Sequence, residues 1–338
     1  MVRNCFAGKW HVWGAAITSL FISMGAYSQA RPVNGITNQP DASYTTWSAY
    51  NSTRKSHPDI KIVPGLNSKK VAEKRNITYC TLGERSLQLD AFYPAGKTKT
   101  KRTAIVIIHG GGWRSGNRTQ HHPLAQHLAA RGYVCFTPAY RLSTEALYPA
   151  AIYDLKSVLR WVVQHAAGYH IDTAKISVLG FSAGGQLAAF LGTTTGVPEF
   201  EGATCNGNQP APVHAVVDID GTLSFTHRET GEGDDSKRIS AGTYWFGYSK
   251  KDSIALWEEA SPLAHAGPHT APTLFINSTV ARMHAGRDDY IKILGRHGIY
   301  SEVKTFENAP HSFCLFDPWF QPTVNYIDEF LKRALNKL

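Results

Sequence analysis

The strongest constraint in this 338-residue chain is the alternation of short, continuous apolar runs with stretches of helical spacing. Residues 103–108 (TAIVII), 133–139 (YVCFTPA), 175–181 (KISVLGF), 213–219 and 272–276 (PTLFI) are apolar with little alternation, as strands buried on both faces require. Residues 85–93 (RSLQLDAFY) alternate apolar and polar, and 301–306 ends the series of strands. Helical spacing falls between and after them, over 124–130, 152–165 and 323–335. Parallel strands need crossover helices, so the pattern predicts an α/β fold, a mostly parallel central sheet with helices on both faces. A hydrophobic fraction of 43% can fill one large core of this kind, and a single domain over 71–338 follows. Two stretches, 196–212 and 222–262, lack strong periodicity. They are expected to overhang the C-terminal ends of the strands, where ligands bind in such sheets.

Residues 1–30 stand apart. Arg3 and Lys9 precede an apolar run over 15–26, and Ser28-Gln29-Ala30 fits a small-x-small cleavage site. The pattern predicts a secretory signal peptide, hence a secreted or periplasmic protein with no stable membrane insertion after cleavage. Residues 31–70, rich in Asn, Ser, Thr, Pro and Lys, read as an extended lead-in, partly ordered at best. Cleavage would leave Cys80, Cys135, Cys205 and Cys314, which allow three pairings. Cys135 lies in an apolar strand run and is expected as a free, buried thiol. No CxxC or metal-ligand spacing is present, so neither metal nor cofactor is expected. The net charge of +9 is spread out, and the longest basic cluster, 97–102, is interrupted by threonines. A nucleic-acid partner is therefore not expected. A positive surface favours an anionic substrate, although a generic soluble surface explains it equally well.

Three local motifs carry chemistry. Gly180-Phe181-Ser182-Ala183-Gly184-Gly185 follows an apolar strand and opens a helical stretch. Such a turn projects a serine from the end of a sheet with a helix N-terminus facing its hydroxyl. His109-Gly110-Gly111-Gly112-Trp113 follows the TAIVII run. Backbone N–H groups of Gly111 or Gly112, together with that of Ala183, are the candidate oxyanion donors. His109 is expected to hold this loop, and Trp113 either walls the pocket or packs. Pro310-His311-Ser312-Phe313 follows the last strand. A serine is a weak nucleophile until an imidazole takes its proton, which makes His311 the candidate base.

Taken together, HGGGW, GFSAGG and the late PHSF resemble the α/β-hydrolase family, in its esterase/lipase branch. Tyr140-Arg141-Leu142, Pro149 and Asp154 are similar to a YRL…P…D stretch found there, and the likeness spans roughly residues 75–335. The resemblance implies an α/β-hydrolase fold and ester hydrolysis by a Ser-His-Asp acyl-enzyme mechanism. One departure stands out. The family's strand-seven loop, HGxxD, usually supplies the acid, but Asn277-Ser278-Thr279-Val280-Ala281 stands here, with alanine in place of aspartate. Two candidates remain open. Asp220, at the end of the strand over 215–219, lies in an Asp218-Ile219-Asp220-Gly221 stretch similar to that of some lipases, and Asp288 lies just downstream of the strand-seven loop.

Arg282, His284 and Arg287 follow that loop. Guanidinium groups grip carboxylates in two-pronged fashion, so these residues and Trp113 are the candidate substrate-binding set. Residues 275–289 resemble those of secreted bacterial carbohydrate esterases acting on pectin-type polysaccharides. The expected substrate is an acetyl or methyl ester on a plant cell-wall polysaccharide, or a small ester. The alternatives are a general carboxylesterase or feruloyl esterase, a peptidase, and a non-catalytic binding protein on the same fold.

Overall fold

In the computed structural model, which describes residues 32–96, 98–202, 205–210 and 212–335, the apolar runs form one eight-stranded sheet. Its strands are β1 (Val71–Leu82), β2 (Arg85–Pro94), β3 (Arg102–Ile108), β4 (Val134–Pro138), β5 (Ile171–Phe181), β6 (Ala215–Ile219), β7 (Thr273–Asn277) and β8 (Ser301–Thr305). Their spatial order is β1-β2-β4-β3-β5-β6-β7-β8. β1, β2 and β4 pair antiparallel, and every pairing from β4 to β8 is parallel. The main helices are α1 (Thr46–Thr53), α2 (His122–Ala129), α3 (Ala150–Gln164), α4 (Ala183–Thr193), α5 (Ala241–Phe246), α6 (Arg287–Arg296) and α7 (Phe320–Leu335). This is the α/β-hydrolase fold that the motifs imply.

The continuous apolar runs have a direct cause. Successive residues of a strand face opposite sides of the sheet. On β3, Ala104, Val106 and Ile108 pack with α3 and α4 through Leu155, Leu159 and Leu187. Ile105 and Ile107 pack with α2 and α7 through Leu124, Leu128 and Ile327 on the other face. Both faces are dry, so no position on the strand favours a polar residue. β1 (VAEKRNITYCTL) has no such run because it is an edge strand with many exposed side chains, and the sequence pattern did not mark it.

Three expectations need correction. Residues 32–70 are not a loose lead-in. Thr45 and Ser48 cap α1 reciprocally, Ala49, Ile60 and Val63 are buried, and Lys61–Ile62 pairs with Asp317 and Phe316. The segment is anchored at isolated apolar points and by its backbone, which composition does not reveal. It bridges at Asp41 to Ser115, and the Thr53 hydroxyl meets that of Ser312 at 2.9 Å. The described residues of the 196–212 stretch do not overhang the strand C-termini. The stretch follows a crossover helix and precedes a parallel strand, which places it at the strands' N-terminal ends. There a disulfide ties Cys205 to Cys80, and Arg160 donates to the Cys205 carbonyl. Cys135 and Cys314 are free and buried. By contrast, residues 222–262 follow β6 and rise from the C-terminal end, anchored by Phe225, Trp245, Phe246 and Trp257 in the core. Trp113 belongs to that packing. It is 4% exposed, stacks on Trp245 at 5.0 Å and donates through Nε1 to Gln186 Oε1 at 2.8 Å, so it is not a pocket wall. The expected signal peptide, with Cys5, lies outside the described residues.

Candidate active site

Ser182 sits between β5 and α4 with φ 57° and ψ −121°, a left-handed backbone that a non-glycine residue holds only under strain. Its neighbours make the turn possible. A Cβ on Gly184 would lie 2.2 Å from the Ile108 carbonyl oxygen, and one on Gly180 would lie 1.9 Å from that of Gly184. Only glycine admits backbone that close. The Ser182 N–H donates to the Ile219 carbonyl at 2.8 Å, which ties the turn to β6.

His311 reaches this serine from the loop after β8. The Ser182 hydroxyl donates to His311 Nε2 at 2.8 Å, and His311 Nδ1 donates to Asp220 Oδ2 at 3.0 Å. Asp220 itself is wholly buried. A buried carboxylate is costly unless donors surround it. Here the Ser278 N–H donates to Oδ1 at 2.8 Å, the Ser278 hydroxyl to Oδ2, and Asn277 Nδ2 to Oδ1 at 3.4 Å. Arg287 Nη1 in turn donates to Asn277 Oδ1 at 2.8 Å. Asp220, His311 and Ser182 are therefore brought together. Asp288 is not; its side chain is 70% exposed in the first turn of α6 and pairs with Arg287. The sequence reading missed Asn277 and Ser278 as props of the acid. Their only signal was that they replace the usual strand-seven loop.

The glycine loop after β3 closes against the serine, since a Cβ on Gly110 would lie 3.1 Å from that of Ser182. Gly111 has φ 129°, and a side chain there would strike the Ser115 carbonyl. Gln120 accepts from the Gly110 N–H at 2.9 Å, and the Tyr140 hydroxyl donates to the His109 carbonyl at 2.9 Å. Burial pushes the His109 imidazole down to about 4, so it stays neutral and acts as a wedge stacked on Tyr140. Among the described residues, the N–H groups of Gly111, Gly112 and Ala183 donate to no protein group. Ala183 heads α4, where the helix dipole favours negative charge. Asp154 grips Arg141 through both oxygens, next to the Tyr140 whose hydroxyl holds the His109 carbonyl.

Of the expected substrate-binding residues, Arg287 is occupied by Asn277 and Asp288. His284 is half-buried, and burial with the nearby Arg287 holds it below its ordinary pKa. Arg282 is exposed and lines an open cleft of about 600 Å³. Among the described residues, no group of three or more His, Cys, Asp or Glu could hold a metal ion. No described helix is long and apolar enough to cross a membrane.

The family model BD-FAE matches residues 89–283, more than half of the chain and a span that includes Ser182 and Asp220. The chain belongs to the BD-FAE family. It is also 28% identical to Esterase LipC of Mycobacterium tuberculosis, over 65% of this chain and 58% of that protein. With the probable carboxylic ester hydrolase LipM of the same organism it shares 29% identity, over 62% of this chain and 47% of LipM. The chain thus spans about half the length of these curated relatives. Among solved structures, esterase 2 of Thermogutta terrifontis with butyrate bound has a TM-score of 0.61 at 27% identity, covering 78% of this chain and 94% of that one. A truncated carbohydrate esterase from gut microbiota reaches a TM-score of 0.67 at 23% identity, covering 80% of this chain and all of that one, which shows the shared fold.

Proposed function

We propose that this BD-FAE chain is an exported serine carboxylic-ester hydrolase acting on acetyl or methyl esters of a plant cell-wall polysaccharide, with a pectin-type polymer favoured. The observation that carries the hydrolase reading is the Asp220–His311–Ser182 array at 3.0 and 2.8 Å, beside three unengaged N–H groups. Ser182 Oγ attacks the ester carbonyl carbon while His311 Nε2 takes its proton. Asp220 fixes the imidazole tautomer and steadies the imidazolium. The carbonyl oxygen gains negative charge within reach of the N–H groups of Gly111, Gly112 and Ala183; one such donor is typically worth about 10²–10³ in rate. Collapse expels the alcohol with the proton from His311, and water then cleaves the acyl-enzyme by the same steps.

A short acyl group fits the neighbour that has been solved with propionate and butyrate. A polar polymer fits the cleft beside the glycine loop, which charged side chains line together with Ile239, Ala241 and Tyr244. Export is supported by the N-terminal pattern of residues 1–30 and by the Cys80–Cys205 disulfide, since such bonds persist in oxidising compartments.

The test is acetate and methanol release from acetylated xylan, acetylated pectin and methylated pectin, with Ser182→Ala as control. Release from pectin that vanishes in the variant is expected. Cleavage of small aryl esters alone would favour a general carboxylesterase, the reading that the relatives' names suggest. Release that survives Ser182→Ala would overturn the serine mechanism.

A further inference from the structure

The cleft that Arg282 lines holds more cationic side chains than its surroundings neutralise. Arg114, Lys237 and Arg238 line it as well, against only Glu232 and Asp234. None of the four cations forms an ion pair among the described residues, although eighteen other pairs are formed in the protein. The two carboxylates are partly committed elsewhere. Glu232 accepts from the Gly242 N–H at the start of α5, and Asp234 accepts from the Ser236 N–H. The Arg114 guanidinium lies over the Tyr244 ring at 4.0 Å, and its Nη1 donates to the Gly35 carbonyl at 3.4 Å, which together hold it at the cleft.

The cleft adjoins the glycine loop that supplies the candidate oxyanion donors. Arg114 follows Gly112 by two residues. A Cβ on Gly112 would meet that of Ala241, another lining residue, at 3.0 Å. We propose that Arg114, Lys237, Arg238 and Arg282 form a subsite for the carboxylates of a sugar-acid chain whose esterified unit lies at Ser182. Several cations spread along an open cleft suit a repeating polyanion better than a single carboxylate, for which one arginine fork would serve. The subsite rests on the proposed reading of the chain as a carbohydrate esterase and adds which residues hold the carboxylates of the polymer. It keeps Arg282 of the expected set and gives the anion-binding role of Arg287 and His284 to Arg114, Lys237 and Arg238.

Binding and hydrolysis test the two readings separately. Full-length Ser182→Ala protein is titrated by calorimetry with oligogalacturonate and with a neutral xylo-oligosaccharide of equal length. Oligogalacturonate should bind, more weakly as salt is raised, and the neutral oligomer at least about tenfold more weakly. Adding Lys237→Ala and Arg238→Ala should weaken oligogalacturonate binding by about tenfold or more. In the active protein the same pair should lower the ratio of kcat/KM for methylated pectin over acetylated xylan by a similar factor. Equal binding of the two oligomers, or an unchanged ratio in the folded double variant, would overturn the subsite while leaving the serine mechanism standing. Hydrolysis that persists in Ser182→Ala would overturn that mechanism whatever the titration shows.

Discussion

The ends of β6 and β7 lie side by side, with Ile219 paired to Ile276, yet they have opposite chemistry. β6 ends in Asp220, a fully buried carboxylate held by four donors. β7 ends in Asn277 and Ser278, which supply three of those donors and no acid. The usual arrangement of the family, with the acid after strand seven, is exchanged between neighbouring strands. Asp288, close in sequence to the usual position, stays outside because its exposed carboxylate has nothing to orient except Arg287. What selects the triad acid is the convergence of donors on a dry site, and the nearest aspartate in sequence lacks them.

Removing the acid breaks this comparison most directly. Asp220→Asn should lower kcat on a small ester by about 10⁴-fold, because the amide stabilises the wrong imidazole tautomer. Retention of more than about a tenth of the activity would place the acid elsewhere. The β7 side should have a smaller effect. Arg287→Ala frees Asn277, and kcat should fall about three- to tenfold, the rate equivalent of one hydrogen bond, with KM little changed. Arg287→Lys should restore part of it; a loss confined to KM would instead make Arg287 a substrate contact.

Asp218 sharpens the contrast within β6 itself. It is as buried as Asp220, but among the described residues only the Gly221 N–H donates to it, and its Oδ2 has no partner there. Burial holds its carboxyl well above the ordinary value of 3.8. The folded protein therefore keeps a proton that the unfolded chain releases. That contribution to stability is full below the unfolded pKa and declines as pH rises through it towards the folded value. Asp218→Asn should flatten the fall of Tm with rising pH above about 4, as thermal melts across a pH series would show. An unchanged slope would mean that Asp218 is ionised in the fold. Asp288→Asn should have the smallest effect, within about twofold on kcat/KM, because an exposed ion pair contributes little.

Much of this was legible in the sequence because it depends on local backbone chemistry. Gly180 and Gly184 are required by backbone contacts near 2 Å, and no other residue type satisfies them. The apolar runs announce strands buried on two sides. β1 was not legible, because an edge strand has a polar sequence, and residues 32–70 were misjudged because a few buried apolar residues anchor a polar segment. Trp113 shows the same limit, since a large aromatic beside a glycine loop serves a pocket or a core equally well until its neighbours are known.

The sequence by itself determined the buried strands, the nucleophile, the base and the glycine loop, since each is encoded within a few consecutive residues whose spacing fixes local geometry. Only the tertiary structure decided between Asp220 and Asp288, and it gathered Arg114, Lys237, Arg238 and Arg282 around one cleft. Both depend on side chains far apart in the chain. Burial and the hydrogen bonds that offset it arise only when β6, β7 and the excursion after β6 come together.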